Sequence, residues 1–156
     1  RIENLTWERL TRTVHGLRVL STEMPVLFFA HPRTRRLIDE WNIDLTGVSL
    51  REPASYIDMV SFVRNAAVVL TDSGGLQEET CYLKVSCVTL RNTTERPETI
   101  LVGANRLAGK FLMEGKDLLE AARMQMQLKA KRDWSYPYGD GTSGKQIAEI
   151  VKEWLR

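Results

Sequence analysis

Cysteine is scarce in this 156-residue chain: Cys81 and Cys87 are the only two. That excludes a disulfide scaffold, lacks the CxxC spacing of a redox or zinc site, and suits a reducing compartment. Two histidines, His15 and His31, are too few for a His-rich metal site. No apolar run approaches the roughly 18–20 residues of a membrane span, and no signal peptide is visible. Neither sign of charge dominates: 22 Lys+Arg stand against 20 Asp+Glu, a net of +2. That argues against a nucleic-acid binder driven by bulk charge and against an acidic tail. Hydrophobic residues at 43% can build a core, so wholesale disorder is out. The expectation is a soluble, cytoplasmic-type domain with no metal, no cofactor, no nucleic acid and no membrane partner.

The chain opens on Arg1 rather than Met and runs straight into Arg1-Ile2-Glu3-Asn4, which reads as a piece of something longer. Trp7, Leu10, Val14 and Leu17 step by three and four, so Thr6–Leu20 is expected to be an amphipathic helix. Pro25–Ala30 is a near-continuous apolar run, as in a strand buried on both faces. Thr34–Glu40 reads as a helix and Gly47–Leu50 as a strand. Tyr56, Met59, Val60 and Val63 again step at helical spacing. Ala67–Thr71 is the clearest strand, rich in β-branched residues and closed by a polar turn. A helix over Leu76–Leu83 and a strand over Ser86–Leu90 follow. Pro97 allows a helix starting near Thr94, and Asn105–Ala108 reads as a last strand. Leu119, Ala122 and Met126 mark another helix. After the polar, Gly-rich stretch Tyr136–Gly144, Ile147, Ile150, Val151 and Trp154 mark a final one.

Strand and helix alternate throughout. Parallel strands need crossover connections, so the fold class is α/β: a Rossmann-like parallel sheet with helices on both faces. In such sheets ligands bind beyond the carboxyl ends of the strands. Four polar clusters fall at those ends: His31–Arg35, Arg51–Pro53, Asp72–Gly75 and Arg91–Glu98.

Thr71-Asp72-Ser73-Gly74-Gly75 leaves the clearest strand and opens a helix. Two glycines let a ligand approach the backbone, and the helix start offers N–H groups and partial positive charge to an anion such as phosphate. Ser73 can cap the helix and donate its hydroxyl to the same anion. A plain serine-capped turn reads equally well, since this is neither a Walker loop nor a full dinucleotide fingerprint. One turn on, the carboxylates of Glu78 and Glu79 can accept from sugar hydroxyls or simply suit the helix dipole; for Glu78 the dipole is the better reading. Arg96 can bridge a diphosphate bidentately, and Thr94 and Glu95 can contact sugar hydroxyls or cap. His31 can touch a substrate or act as an acid or base, although a solvated histidine at a strand end is the commoner case. Lys110, Lys116, Lys129, Lys131 and Arg132 read as a solvated face, and both cysteines as small hydrophobes.

Taken together, Leu70-Thr-Asp-Ser-Gly-Gly-Leu-Gln-Glu-Glu79 and Leu90-Arg-Asn-Thr-Thr-Glu-Arg-Pro-Glu98 closely resemble the non-hydrolysing UDP-N-acetylglucosamine 2-epimerases. Gly103–Gly109 and Tyr136–Gly141 continue the resemblance, and His31-Pro-Arg-Thr with Arg1-Ile-Glu-Asn4 looks archaeal in style. The resemblance implies that residues 1–156 are the C-terminal, UDP-binding half of a glycosyltransferase-B-type fold, with the N-terminal catalytic half absent. It also implies that the first strand of the sheet, which ends in a histidine in relatives, is missing here. Ser73, Gly74 and Gly75 would hold the UDP diphosphate, Glu79 the ribose, and Arg96 the phosphates, with Thr94 and Glu95 near the sugar. Met59 stands where relatives often carry an aromatic near the uracil, so base stacking there is in question. The histidine matching His31 belongs to a regulatory substrate site in bacterial relatives, but the residues after it differ here and regulation does not carry over.

The implied chemistry interconverts UDP-GlcNAc and UDP-ManNAc, by elimination of UDP to a 2-acetamidoglucal and re-addition with C2 inverted. The implied setting is a cytoplasmic homodimer serving cell-surface polysaccharide biosynthesis. The family's acid/base carboxylates lie outside this chain, which alone would be inactive. Three rivals stay open: a hydrolysing epimerase, the donor-binding half of a glycosyltransferase, and a non-catalytic nucleotide-sugar-binding module.

Overall fold

A computed structural model of the chain describes residues 4–109, 118–127 and 133–155. The expected basic face at Lys110, Lys116, Lys129, Lys131 and Arg132 lies outside them, as does the Arg1–Glu3 opening. Helix and strand alternate as α1 (Trp7–Ser21), β1 (Val26–Phe29), α2 (Pro32–Glu40), β2 (Val48–Arg51), α3 (Tyr56–Asn65) and β3 (Val69–Thr71). Then come α4 (Gly74–Tyr82), β4 (Cys87–Thr89), α5 (Pro97–Leu101), β5 (Asn105–Leu107), α6 (Leu118–Gln127) and α7 (Ser143–Trp154). Every strand pairing is parallel, as the alternation requires.

The strands form two parallel sheets: β1 pairs with β2, and β4 lies between β3 and β5. In Rossmann order the first strand, at the switch point, belongs between β1 and β3. Among the described residues no strand pairs with both sheets. The halves still share one core: Val26 and Val48 from the first sheet join Val88 and Ala108 from the second, with Leu17 and Leu20 of α1 and Leu118, Leu119, Ala121 and Ala122 of α6. Thr6 caps α1, its hydroxyl accepting from Arg9 N at 3.3 Å. Gly16 lets α1 cross α6 closely, since a Cβ there would stand 2.7 Å from Leu118 Cβ.

Two expectations are corrected. β1 is not buried on both faces: Leu27 is 42% exposed. The helix expected from Thr94 starts at Pro97 instead, because the Thr94 hydroxyl accepts from Arg96 N at 3.0 Å and ties residues 94–96 into a turn. α7 forms with the expected apolar stripe, but Ile147, Ile150, Val151 and Trp154 are all exposed, with nothing among the described residues to cover them.

Both thiols are buried. Burial pushes Cys81 above its ordinary range and Cys87 up to about 12. They pack as small hydrophobes, and neither is a nucleophile near neutral pH.

Candidate functional site

β3 and β4 are adjacent, parallel and in register at their ends, with Thr71 opposite Thr89. The segments leaving them must therefore emerge side by side. One carries Asp72–Gly75 into α4; the other carries Arg91–Arg96 toward α5.

Ser73 caps α4, its hydroxyl oxygen lying 3.5 Å from Leu76 N. An accepting hydroxyl keeps its own proton to donate outward. The first-turn N–H groups of α4 have no partner within their helix. Gly74 and Gly75 lie in that turn with negative φ, and a Cβ built on either would meet nothing within 4 Å. Glycine here is not required by turn geometry or by packing, and in a helix it costs about 1 kcal/mol relative to alanine. The fold thus keeps an intrinsically unfavourable residue pair beside open space, at the end of a helix suited to an anion.

The facing segment brings cations and hydroxyls. Arg96 pairs through Nε with Glu78 on α4, and its Nη1 donates to the Glu95 carbonyl at 3.0 Å. Arg91 is buried and grips both carboxylate oxygens of Glu95, at 2.6 and 2.8 Å. Glu95 is therefore oriented by Arg91, and Glu78 by Arg96, an ion pair beyond the helix-dipole role that the sequence favoured for Glu78. Glu79 is half-buried on α4, and its carboxylate has no partner among the described residues. Gly109 underpins the Arg91 segment: a Cβ there would stand 2.3 Å from the Arg91 carbonyl carbon and 2.5 Å from Asn92 N.

The other candidates sit at the same carboxyl edges, away from this pair of segments. His31 caps α2, its Nδ1 accepting from Arg33 N at 3.2 Å. The exposed cap role fits the solvated reading better than proton transfer. Arg35 pairs with Glu52 across the ends of β1 and β2. Met59 is half-buried on α3, next to neither segment by any described contact. Tyr136 and Tyr138 hold the Gly-rich stretch against α4 and α5. Tyr136 meets Tyr82 edge-on at 5.2 Å, and the Tyr138 hydroxyl donates to Glu98 Oε2 at 3.0 Å. Burial and that hydrogen bond both raise the Tyr138 phenol above its ordinary range.

Sequence reading passed over Gln77, Asn105 and Thr99, all buried beneath the two segments. The signal for Gln77 was its spacing: four residues after Ser73, a helical side chain reaches back to the turn before it. Asn105 carried none beyond being polar inside a strand.

The family model described as UDP-N-acetylglucosamine 2-epimerase matches residues 1–152. The UDP-N-acetylglucosamine 2-epimerase of Methanocaldococcus jannaschii is 40% identical over 151 residues, which is 92% of this chain and 40% of that protein. The enzyme of the same name from Methanococcus maripaludis is 39% identical over 159 residues, 97% of this chain and 42% of that one. The crystal structure of the M. jannaschii protein, in complex with UDP-GlcNAc and UDP, superposes with a TM-score of 0.84 at 38% identity, covering 98% of this chain and 43% of that one. The chain thus spans about two fifths of the length of the relatives it matches. A parallel α/β frame, the two adjoining segments at its carboxyl edge and a family match over nearly its whole length agree: the chain belongs to the UDP-N-acetylglucosamine 2-epimerase family.

Proposed function

We propose that this chain is the UDP-binding half of a UDP-N-acetylglucosamine 2-epimerase. The diphosphate sits at the N-terminus of α4, between Ser73–Gly75 and Arg96. The observation that carries the reading is the glycine pair: Gly74 and Gly75 occupy helical backbone with open space where a side chain would go. The fold has no use for the missing side chains, whereas a diphosphate approaching the backbone amides does. Arg96 adds a guanidinium on the facing side, and Glu79 offers two ribose hydroxyls a carboxylate with no partner among the described residues. Thr94 and Glu95 lie on the sugar side; His31 and Met59 are peripheral.

In the reaction, a base removes the C2 proton of the sugar while its C1–O bond to UDP breaks, leaving 2-acetamidoglucal and UDP. UDP then re-adds at C1 and a proton returns to C2 on the opposite face. The residues of this chain hold the departing diphosphate, stabilise its added charge and keep it in place for return. The acid and base come from a further part of the protein. Three observations support that division: the relatives' greater length, the separation of β1–β2 from β3–β5 among the described residues, and the exposed apolar stripe of α7. The same reading takes the whole enzyme to be a cytoplasmic homodimer supplying cell-surface polysaccharide synthesis.

The test is to incubate the full-length protein with UDP-GlcNAc and resolve the products. UDP-ManNAc with UDP retained on the sugar supports the reading. Free ManNAc and UDP would make it a hydrolysing epimerase, and sugar transfer to an added acceptor would make it a glycosyltransferase.

A further inference from the structure

Beneath the two segments lies a closed polar network inside an otherwise apolar core. Gln77 is fully buried on α4. Its Nε2 donates to the Ser73 carbonyl at 3.2 Å, and its Oε1 accepts from the Thr94 hydroxyl at 2.6 Å and from Asn105 Nδ2 at 3.1 Å. Asn105, on β5, is completed by Thr99 Oγ1, which accepts at 3.1 Å, and by the Thr89 hydroxyl, which donates to Oδ1 at 2.9 Å. Thr99 in turn donates to the Arg96 carbonyl at 2.7 Å.

Burying amides and hydroxyls brings little net stability even when all are paired, and costs about 1–3 kcal/mol for each group left unpaired. Apolar residues such as the neighbouring Val85, Val88 and Ala104 fill comparable buried positions without that risk. What a satisfied network adds is direction: each member accepts one arrangement of its neighbours. Here the chain of bonds runs from the Ser73 carbonyl, through one side chain, to the Thr94 hydroxyl, and through Asn105 and Thr99 to the Arg96 carbonyl. The Ser73 end of the first segment is thereby tied to the second at both Thr94 and Arg96.

We infer that Gln77 is a positioning residue, whose buried amide sets the spacing between the Ser73–Gly75 turn and the Thr94–Arg96 segment so that together they grip a diphosphate. This rests on the reading that UDP binds there. A monophosphate needs one segment only, whereas a diphosphate spanning both needs them in register. Loss of the tie should therefore cost UDP selectively.

The experiment compares UDP and UMP affinity by titration calorimetry in the full-length protein and in Gln77→Met, Thr94→Val and the double variant, with thermal unfolding alongside. Methionine keeps the volume of Gln77 without its amide. Thr94 lies half-buried in a loop, so Thr94→Val carries the test even if Gln77→Met fails to fold. Each single variant is expected to weaken UDP about tenfold while leaving UMP within about twofold, a loss of UDP selectivity. The double variant should lose less than the sum of the two single ones, since the Thr94–Gln77 hydrogen bond is common to both. Gln77→Met also frees the Ser73 carbonyl and Asn105 Nδ2, and Thr94→Val also frees Arg96 N. A purely structural role would lower the unfolding temperature and leave the UDP-to-UMP ratio unchanged; that result, or losses that simply add, overturns the inference. If the unaltered protein binds no UDP, the proposed function fails and takes this inference with it.

Discussion

Arg96 reaches from the segment before α5 to Glu78 on α4, and the ion pair spans the place where the two anion-facing segments meet. A diphosphate arriving there competes with Glu78 for the guanidinium and meets a like charge. Half-exposed pairs of this kind are worth about 0–1 kcal/mol. Glu78→Gln is therefore expected to leave the unfolding temperature nearly unchanged and to tighten UDP about threefold, most clearly at low salt. Calorimetry at two ionic strengths reads this. A loss of affinity would mean that Glu78 holds Arg96 in place for the ligand.

Gly75 offers a variant in which stability and binding part company. With nothing within 4 Å of its would-be Cβ, Gly75→Ala should stabilise the protein by about 0.5–1 kcal/mol through helix propensity. The same methyl stands where the diphosphate approaches, so UDP affinity should fall by about tenfold or more. Denaturant melts and UDP titration of the one variant check both halves. Unchanged UDP affinity would remove the close-approach argument.

Glu79→Ala separates nucleoside from phosphate. Its carboxylate is assigned to the ribose in the proposed reading, so UDP should weaken by about tenfold while pyrophosphate affinity holds steady. Competition binding with the two ligands reads the difference. An equal loss for both would place Glu79 in charge balance and not at the sugar.

Much of this arrangement is legible before any coordinates. The alternation of strand and helix signals placed all twelve described elements within a few residues, because the short strands are bounded by polar turns and helices such as α1 and α3 carry an apolar face. Ser73 reads as a cap because a serine before two glycines and a leucine has few other uses. The start of α5 is misread because Thr94 spends its hydroxyl on a local turn and on Gln77, and such competition with the helix is invisible in periodicity. Gln77 itself hides in Gln77-Glu78-Glu79, a run that looks solvated; only the packing of β5 against α4 and α5 reveals that its first member points inward. The stripe of α7 is legible, but its exposure is not, since periodicity shows that a face is apolar and not what covers it.

Gly109 supports the site from behind. A Cβ there would collide with the Arg91–Asn92 backbone at 2.3–2.5 Å, and backbone cannot turn aside as a side-chain end does. Gly109→Ala should cost about 1–3 kcal/mol of stability, the range of overpacked cores, and should weaken UDP by displacing the segment that carries Arg96. Urea unfolding measures the first effect. A stability equal to the unaltered protein would show that the segment adjusts freely.

Cys87 predicts a pH dependence. Burial lifts its folded-state value to about 12 from 9.0, and Cys81 moves in the same direction. Because the folded values lie above the unfolded ones, the thiols' contribution is complete below pH 9 and drains away as pH rises toward 12. Stability should fall by about 1.4 kcal/mol per pH unit in that window on account of Cys87, with Cys81 adding in the same direction. Cys87→Ala should start less stable and decline less steeply. Urea melts from pH 8 upward decide it, and parallel slopes would contradict the assignment.

The most direct measurement is hydrogen–deuterium exchange of the full-length protein with and without UDP, followed peptide by peptide. Slowed exchange confined to peptides covering Ser73–Glu79 and Thr93–Arg96 is the predicted result, because the first-turn amides of α4 become donors to the diphosphate. UDP binding that protects other peptides and leaves these two exchanging as before would contradict the account.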